Sequence, residues 1–139
     1  MKATLTGLAV CLTVFMSGCG GMLKGKEAGK KGVVEFHGLY NEGKFDEIYS
    51  AAHAKFKSAA TEAEFRELIE AVKNKLGNVT GTSTVKMVVH TSNAGTFVGL
   101  QQQTTFEQGS AREAFKFQMV GDKAILTGYD INSKDLLLK

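Results

Sequence analysis

Apolar residues recur at two different periods along this chain, and the change of period divides it. From Gly32 the spacing is helical: Val33, Phe36, His37 and Tyr40 fall on one stripe, which "NEGK" breaks at Gly43. Phe45, Ile48, Tyr49, Ala52 and Phe56 repeat at the same spacing and predict a second helix. The third helix carries the clearest punctuation. Thr61 and Glu64 make a capping box, in which each side chain meets a free backbone N–H at the helix start. Phe65, Leu68, Ile69, Val72 and Leu76 form its apolar face, and Gly77 closes it.

After Gly77 the period becomes two. "TVKMVVH" sets Val85, Met87 and Val89 against Thr84, Lys86, Val88 and His90. "SNAG" then makes a turn, a long extended run covers residues 96–107, and "EQGSA" makes a second turn. "REAFKFQMV" is a third strand, "GD" a two-residue hairpin and "KAILTGYDI" a fourth strand. Phe115, Phe117 and Met119 share one face, with Lys116 and Gln118 opposite; in the last strand Ile125, Thr127, Tyr129 and Ile131 share one. The pattern predicts an α+β domain, its N-terminal helices packed on a curved four-stranded antiparallel sheet.

The region before Gly32 reads differently. Lys2 is followed by an uncharged run over residues 3–15, and 13 residues are too few to cross a bilayer comfortably, which takes about 20 in a helix. A positive start, a short apolar centre and then small residues is the layout of a secretory signal; the alternative is a buried N-terminal helix. "MSGC", residues 16–19, resembles the lipobox of bacterial lipoproteins: an aliphatic residue, two small ones, then Cys. The resemblance implies cleavage between Gly18 and Cys19 and a diacylglycerol thioether on the Cys19 sulfur. Met16 stands where Leu is commonest, a departure softened by its similar volume. Cys11 lies in the segment that would be removed, so the mature chain has no internal disulfide partner for Cys19. Gly20, where Asp tends to retain such proteins in the inner membrane, leans towards the periplasmic side of the outer membrane in a Gram-negative cell.

This divides the chain into a signal over residues 1–18, a lipidated Cys and flexible tether over 19–29, and an α+β domain over 30–139. The stretch "GGMLKGKEAGKK", the tether and the first two residues of the domain, is rich in glycine and lysine, and Lys24, Lys26, Lys30 and Lys31 are candidates for contact with anionic headgroups, the alternative being a merely soluble linker. With 43% hydrophobic and 22% charged residues, general disorder is excluded. A formal charge of +3, from 17 basic and 14 acidic residues, is no nucleic-acid footprint.

"FHGLYNEGKFDEIYSAAHAKF" resembles the opening helices of nuclear-transport-factor-2-like cone folds, also called ketosteroid-isomerase-like or cystatin-like. "TTFEQGSAREAFKFQMVGDKAILTGYDI" is similar to uncharacterised lipoprotein-type members of that group. The resemblance implies the cone architecture over about 100 residues. It implies no activity, because such folds host enzymes, binding modules and scaffolds alike.

Candidate chemistry is sparse. No HExxH, CxxC, paired-His or Gly-rich phosphate spacing occurs, so no metal, nucleotide or other cofactor is expected. His37 lies on the apolar stripe of the first helix and reads as a satisfied core histidine rather than a ligand; His53 flanks the second helix and His90 ends a strand. Glu113 shares the face of Phe115 and Phe117, and Glu107 is the second carboxylate near the "QGSA" turn; either is a candidate base in an isomerase-type reading. On the second strand Val98, Leu100, Gln102, Thr104 and Phe106 share a face. Tyr40, Gln102, Thr104, Glu113 and Tyr129 are therefore the candidate lining of a pocket, against the alternative of a closed core. The expected function is that of a membrane-anchored envelope lipoprotein, non-enzymatic, binding a partner protein or a small apolar ligand. The alternative is a lipid-anchored isomerase or hydratase with a buried carboxylate. A homodimer through the sheet is compatible with either.

Overall fold

The computed structural model describes residues 20–138, so the signal segment, its cleavage point and Cys19 lie outside the described residues. Helices come first: α1 (Gly20–Asn41), α2 (Phe45–Ala51), α3 (Ala54–Ala59) and α4 (Glu62–Leu76). Four strands follow, β1 (Val79–Ser92), β2 (Gly95–Phe106), β3 (Gly109–Val120) and β4 (Lys123–Asn132), and then α5 (Lys134–Leu138). The strands form one antiparallel meander in the order β1-β2-β3-β4, and α1 lies across all of them. The α+β class read from the periodicity is the class of the structure, with the helices gathered on one face of the sheet.

The core sits between that face and the helices. β2 contributes Val98, Leu100 and Phe106, β3 contributes Ala111, Phe115 and Phe117, and the helices contribute Val33, Phe36, Tyr40, Phe45, Ile48, Phe65, Ile69, Val72 and Leu76. The Thr61–Glu64 capping box is formed from both sides, and Gly77 closes α4 at φ 76°, a backbone region that favours glycine. The outer face of the sheet, expected as a dimer contact, carries exposed Lys86, Val88, Gln101, Arg112 and Lys116.

Several expectations need correction. Residues 20–29, read as a flexible tether, are the first part of α1. Their glycines are the reason. A Cβ added at Gly29 would lie 2.7 Å from Val98 Cγ1 and 3.0 Å from Leu100 Cδ1, and one at Gly32 would lie 2.8 Å from Phe117 Cε1. At Gly29 and Gly32 the helix lies so close to the sheet that a larger residue would force its neighbours to shift, and this close packing holds together a segment whose local propensity is poor. The second helix is two helices: Ala52 and His53 are extended, and the His53 side chain accepts from Lys55 N to cap α3. β1 begins five residues earlier than "TVKMVVH", and a register shift between Thr84 and Lys86 leaves Val85 55% exposed instead of on the Met87–Val89 face.

In β4 the face shared by Ile125, Thr127, Tyr129 and Ile131 does not exist as such. Lys116 pairs with Gly128 while Phe117 pairs with Leu126, so Thr127 is an extra residue and the parity inverts there. Ala124 and Leu126 point inward before the bulge; Tyr129 and Ile131 pack on the core after it. Leu68, expected in the core, is 45% exposed, and α5 was not anticipated.

Candidate functional site

Alternation along β3 turns Ala111, Glu113, Phe115 and Phe117 to the helices, which puts a carboxylate in an otherwise apolar row. Glu113 is 1% exposed. Buried so completely, it needs donors, and three elements supply them. His37 Nε2 on α1 lies 2.7 Å from Glu113 Oε2. Thr104 on β2 donates its hydroxyl to the same oxygen at 2.6 Å, and Tyr129 on β4 donates to Oε1 at 2.7 Å. Sheet register places the two hydroxyls. Glu113 pairs with Gln102 and Ile131, and Thr104 and Tyr129 are the diagonal neighbours two residues away on those flanking strands. A carboxylate only accepts, so Nε2 is the protonated ring nitrogen of His37.

The network continues towards one edge of the sheet. Thr104 uses its proton on Glu113, so Thr82 Oγ1 on β1, 2.9 Å away, is the donor to Thr104. Gln102 Nε2 donates to Thr84 Oγ1 at 3.1 Å. A row of polar contacts thus crosses all four strands, from exposed Thr82 to Tyr129. Aromatic rings enclose its centre: Phe36 and Phe115 have centroids 4.7 Å and 5.2 Å from that of Tyr129, and Phe115 lies 5.7 Å from His37. Burial, and after it the negative charge of Glu113, raises the Tyr129 phenol well above the usual tyrosine range.

Of the five residues proposed to line a pocket, Thr104, Glu113 and Tyr129 meet. Gln102 is buried but turns to β1. Tyr40 is buried and donates to Gly77 O at 2.8 Å, tying α1 to the end of α4; burial raises its phenol too, with Glu113 and Glu107 adding to the shift. Glu107, the second candidate base, is an exposed residue that accepts from Asn78 N at 3.0 Å. His37 is buried and satisfied as expected, but as the partner of Glu113, a pairing across 76 residues that was not read. The available signal was the matched exceptions: one polar residue on an apolar helix stripe, one on an apolar strand face.

Tyr129 has a second neighbourhood. It helps to line a groove of about 450 Å³ with Phe56, Ala60, Glu64, Phe65, Leu68 and Thr127, between α3, α4 and β4. Tyr49 donates to Ala60 O at 2.9 Å and steadies the groove's upper wall. Glu113 is not part of the lining; Tyr129 is at once a lining residue and the donor to Glu113 Oε1. Among the described residues no group of three or more His, Cys, Asp or Glu is arranged to hold a metal ion, and no helix is long and apolar enough to cross a membrane.

Residues 34–129, which contain the whole His37–Glu113–Tyr129 cluster, match the family model described as protein of unknown function (DUF4019). The chain belongs to that family. No curated protein matches the sequence. The DUF4019 match begins within α1 and ends at Tyr129, so it covers the end of α1, α2 to α4, β1 to β3 and most of β4, while the lysine-rich start of α1 lies before it.

Proposed function

We propose that this DUF4019 protein is an envelope lipoprotein, held to a membrane by acylated Cys19, whose domain works by binding a partner protein or a small apolar ligand and not by catalysis. The observation that carries the binding reading is the way Glu113 is used. Both of its oxygens are occupied by donors from the protein itself, at 2.6–2.7 Å. A base must release such contacts to take a proton from a substrate, whereas a fully satisfied buried network rigidifies the surface around it. That surface is the groove beside Tyr129, whose mainly apolar walls, with Glu64 and Thr127 among them, suit a nonpolar side chain or ligand. The lipobox "MSGC" supports the anchor, and the likeness to cone folds supports a pocket at this end of the sheet.

The test has two parts. Mass spectrometry of the mature N-terminal peptide is expected to find Cys19 acylated, and Cys19→Ser is expected to abolish palmitate labelling. Native mass spectrometry of the purified protein is expected to retain a small apolar molecule or a protein partner that Leu68→Glu releases. A mature protein with unmodified Cys19, or retention unaffected by Leu68→Glu, refutes the corresponding half. The isomerase-type reading keeps one specific support, the His37–Glu113–Tyr129 connection to the groove. It requires that Glu113→Gln lose turnover while the fold and groove binding survive.

A further inference from the structure

The lysines before the family domain sit on a rigid element, and their charge is unbalanced. Residues 20–31 hold Lys24, Lys26, Lys30 and Lys31 against Glu27 alone, while the rest of the chain holds thirteen basic and thirteen acidic residues. The whole +3 surplus of the protein therefore stands on the first three turns of α1. All four lysines are exposed, and so are two apolar side chains among them, Met22 at 56% and Leu23 at 63%. Acidic neighbours do not neutralise the patch. Asp122, on the turn between β3 and β4, approaches Lys24 at 3.7 Å, but both side chains are largely exposed and such a pair is weak. Glu35 lies a turn beyond Lys31, and Lys123 adds a further cation beside Asp122.

We infer that this part of α1 is a docking face for an anionic bilayer, a reading that rests on the acylation of Cys19 proposed above. α1 starts at Gly20, the residue after Cys19, so no free tether separates the anchor from the folded domain. At about 1.5 Å per helical residue, all four lysines lie within about 17 Å of Gly20 along the helix axis. Laid along the bilayer surface, these turns bring the lysines into headgroup range, where each one near an anionic surface strengthens attachment by about 1 kcal/mol, roughly fivefold in the ratio of docked to free domain. Leu23 and Met22 supply the apolar contact that an interfacial helix uses beside its cations. Gly25 and Gly29 hold the opposite side of the same turns against Val89 and Val98, so docking of the outer face orients the whole domain, with the β1–β2 and β3–β4 turns at the end of the sheet nearest the start of α1.

The experiment uses the mature acylated protein in vesicles of phosphatidylcholine alone and of phosphatidylcholine with phosphatidylglycerol. An environment-sensitive fluorophore is placed at Leu23→Cys and, in a second preparation, at Leu137→Cys on α5, near the opposite end of the sheet. Residue 23 is expected to shift to the blue and resist an aqueous quencher in the anionic vesicles, residue 137 to do neither. Replacing the four lysines with glutamine is expected to remove the effect while the anchor stays in place, and added salt is expected to weaken it. Equal quenching at the two positions, or protection that survives loss of the lysines, overturns the docking face. So does capture of an acidic protein by the lysines with residue 23 left open to quencher. An unacylated Cys19 instead overturns the anchoring reading and the premise of docking with it, and the intact mass separates that failure from the others.

Discussion

Replacing Gly29 with alanine adds one methyl group to α1, and the structure says where it goes. The new Cβ would lie 2.7 Å from Val98 Cγ1, 3.0 Å from Leu100 Cδ1 and 3.6 Å from Val98 Cβ. Carbon atoms rest at about 3.5–4.0 Å, so the helix must lift by most of an ångström or two side chains that are themselves buried must turn. Overpacking of that kind costs about 1–3 kcal/mol. Against it stands the helix propensity of alanine, better than glycine by about 1 kcal/mol in a helix interior. Gly38 provides the internal reference. It lies in the same helix, is exposed, and an added Cβ there meets nothing within 4 Å. Both substitutions gain the propensity, so their difference isolates the clash. Gly38→Ala is expected to stabilise by about 1 kcal/mol, and Gly29→Ala to fall below it by about 1–3 kcal/mol. Urea unfolding followed by far-ultraviolet circular dichroism measures both, and unchanged m-values license the comparison. If the two variants shift the midpoint equally, close approach of α1 to the sheet is not what keeps glycine at position 29, and the account of residues 20–32 as a packed helix fails.

Three further outcomes follow from the polar network and the groove. Glu113→Gln turns one acceptor oxygen into an amide donor facing donors, and is expected to cost about 1–3 kcal/mol; an unchanged urea midpoint refutes the network as drawn. The Tyr129 phenol is held protonated in the folded state by burial and by Glu113, so its contribution is complete below the ordinary tyrosine range, about pH 10, and is lost as pH rises beyond it. Tyr129→Phe is expected to flatten part of that alkaline loss, with Tyr40 keeping the remainder; urea midpoints across alkaline pH check it, and an identical pH profile contradicts it. Leu68→Lys, at a half-open wall of the groove, is expected to leave stability within about 0.5 kcal/mol while lowering uptake of an apolar dye, read by fluorescence.

Much of the architecture was legible because its signals are local. Thr61 and Glu64 reach each other within one turn, so the start of α4 is written in four consecutive letters. Alternation along Phe115 and Phe117 gave the inner face of β3, and carried Glu113 onto it. The apolar–polar mixture of β2 likewise put Gln102 and Thr104 inside, where both are buried. What was misread depended on distant partners. The glycines of residues 20–29 look like coil to any local measure, and only packing against Val89, Val98 and Leu100 makes Gly25 and Gly29 favourable in a helix. The bulge at Thr127 leaves no mark of its own in "KAILTGYDI", because an extra residue is defined only by the strand it fails to pair with.

The site divides in the same way. By itself the chain determined which residue types lie on which periodic face, since period is a property of consecutive backbone geometry. It therefore carried the α+β order, the inward Glu113 and the core histidine His37. Only the tertiary structure decided that these two exceptions meet, that Tyr129 closes the network from β4 and that Tyr40 and Gln102 turn elsewhere. A buried charge must find its donors in space, and the donors that satisfy Glu113 come from three elements separated by up to 76 residues of chain.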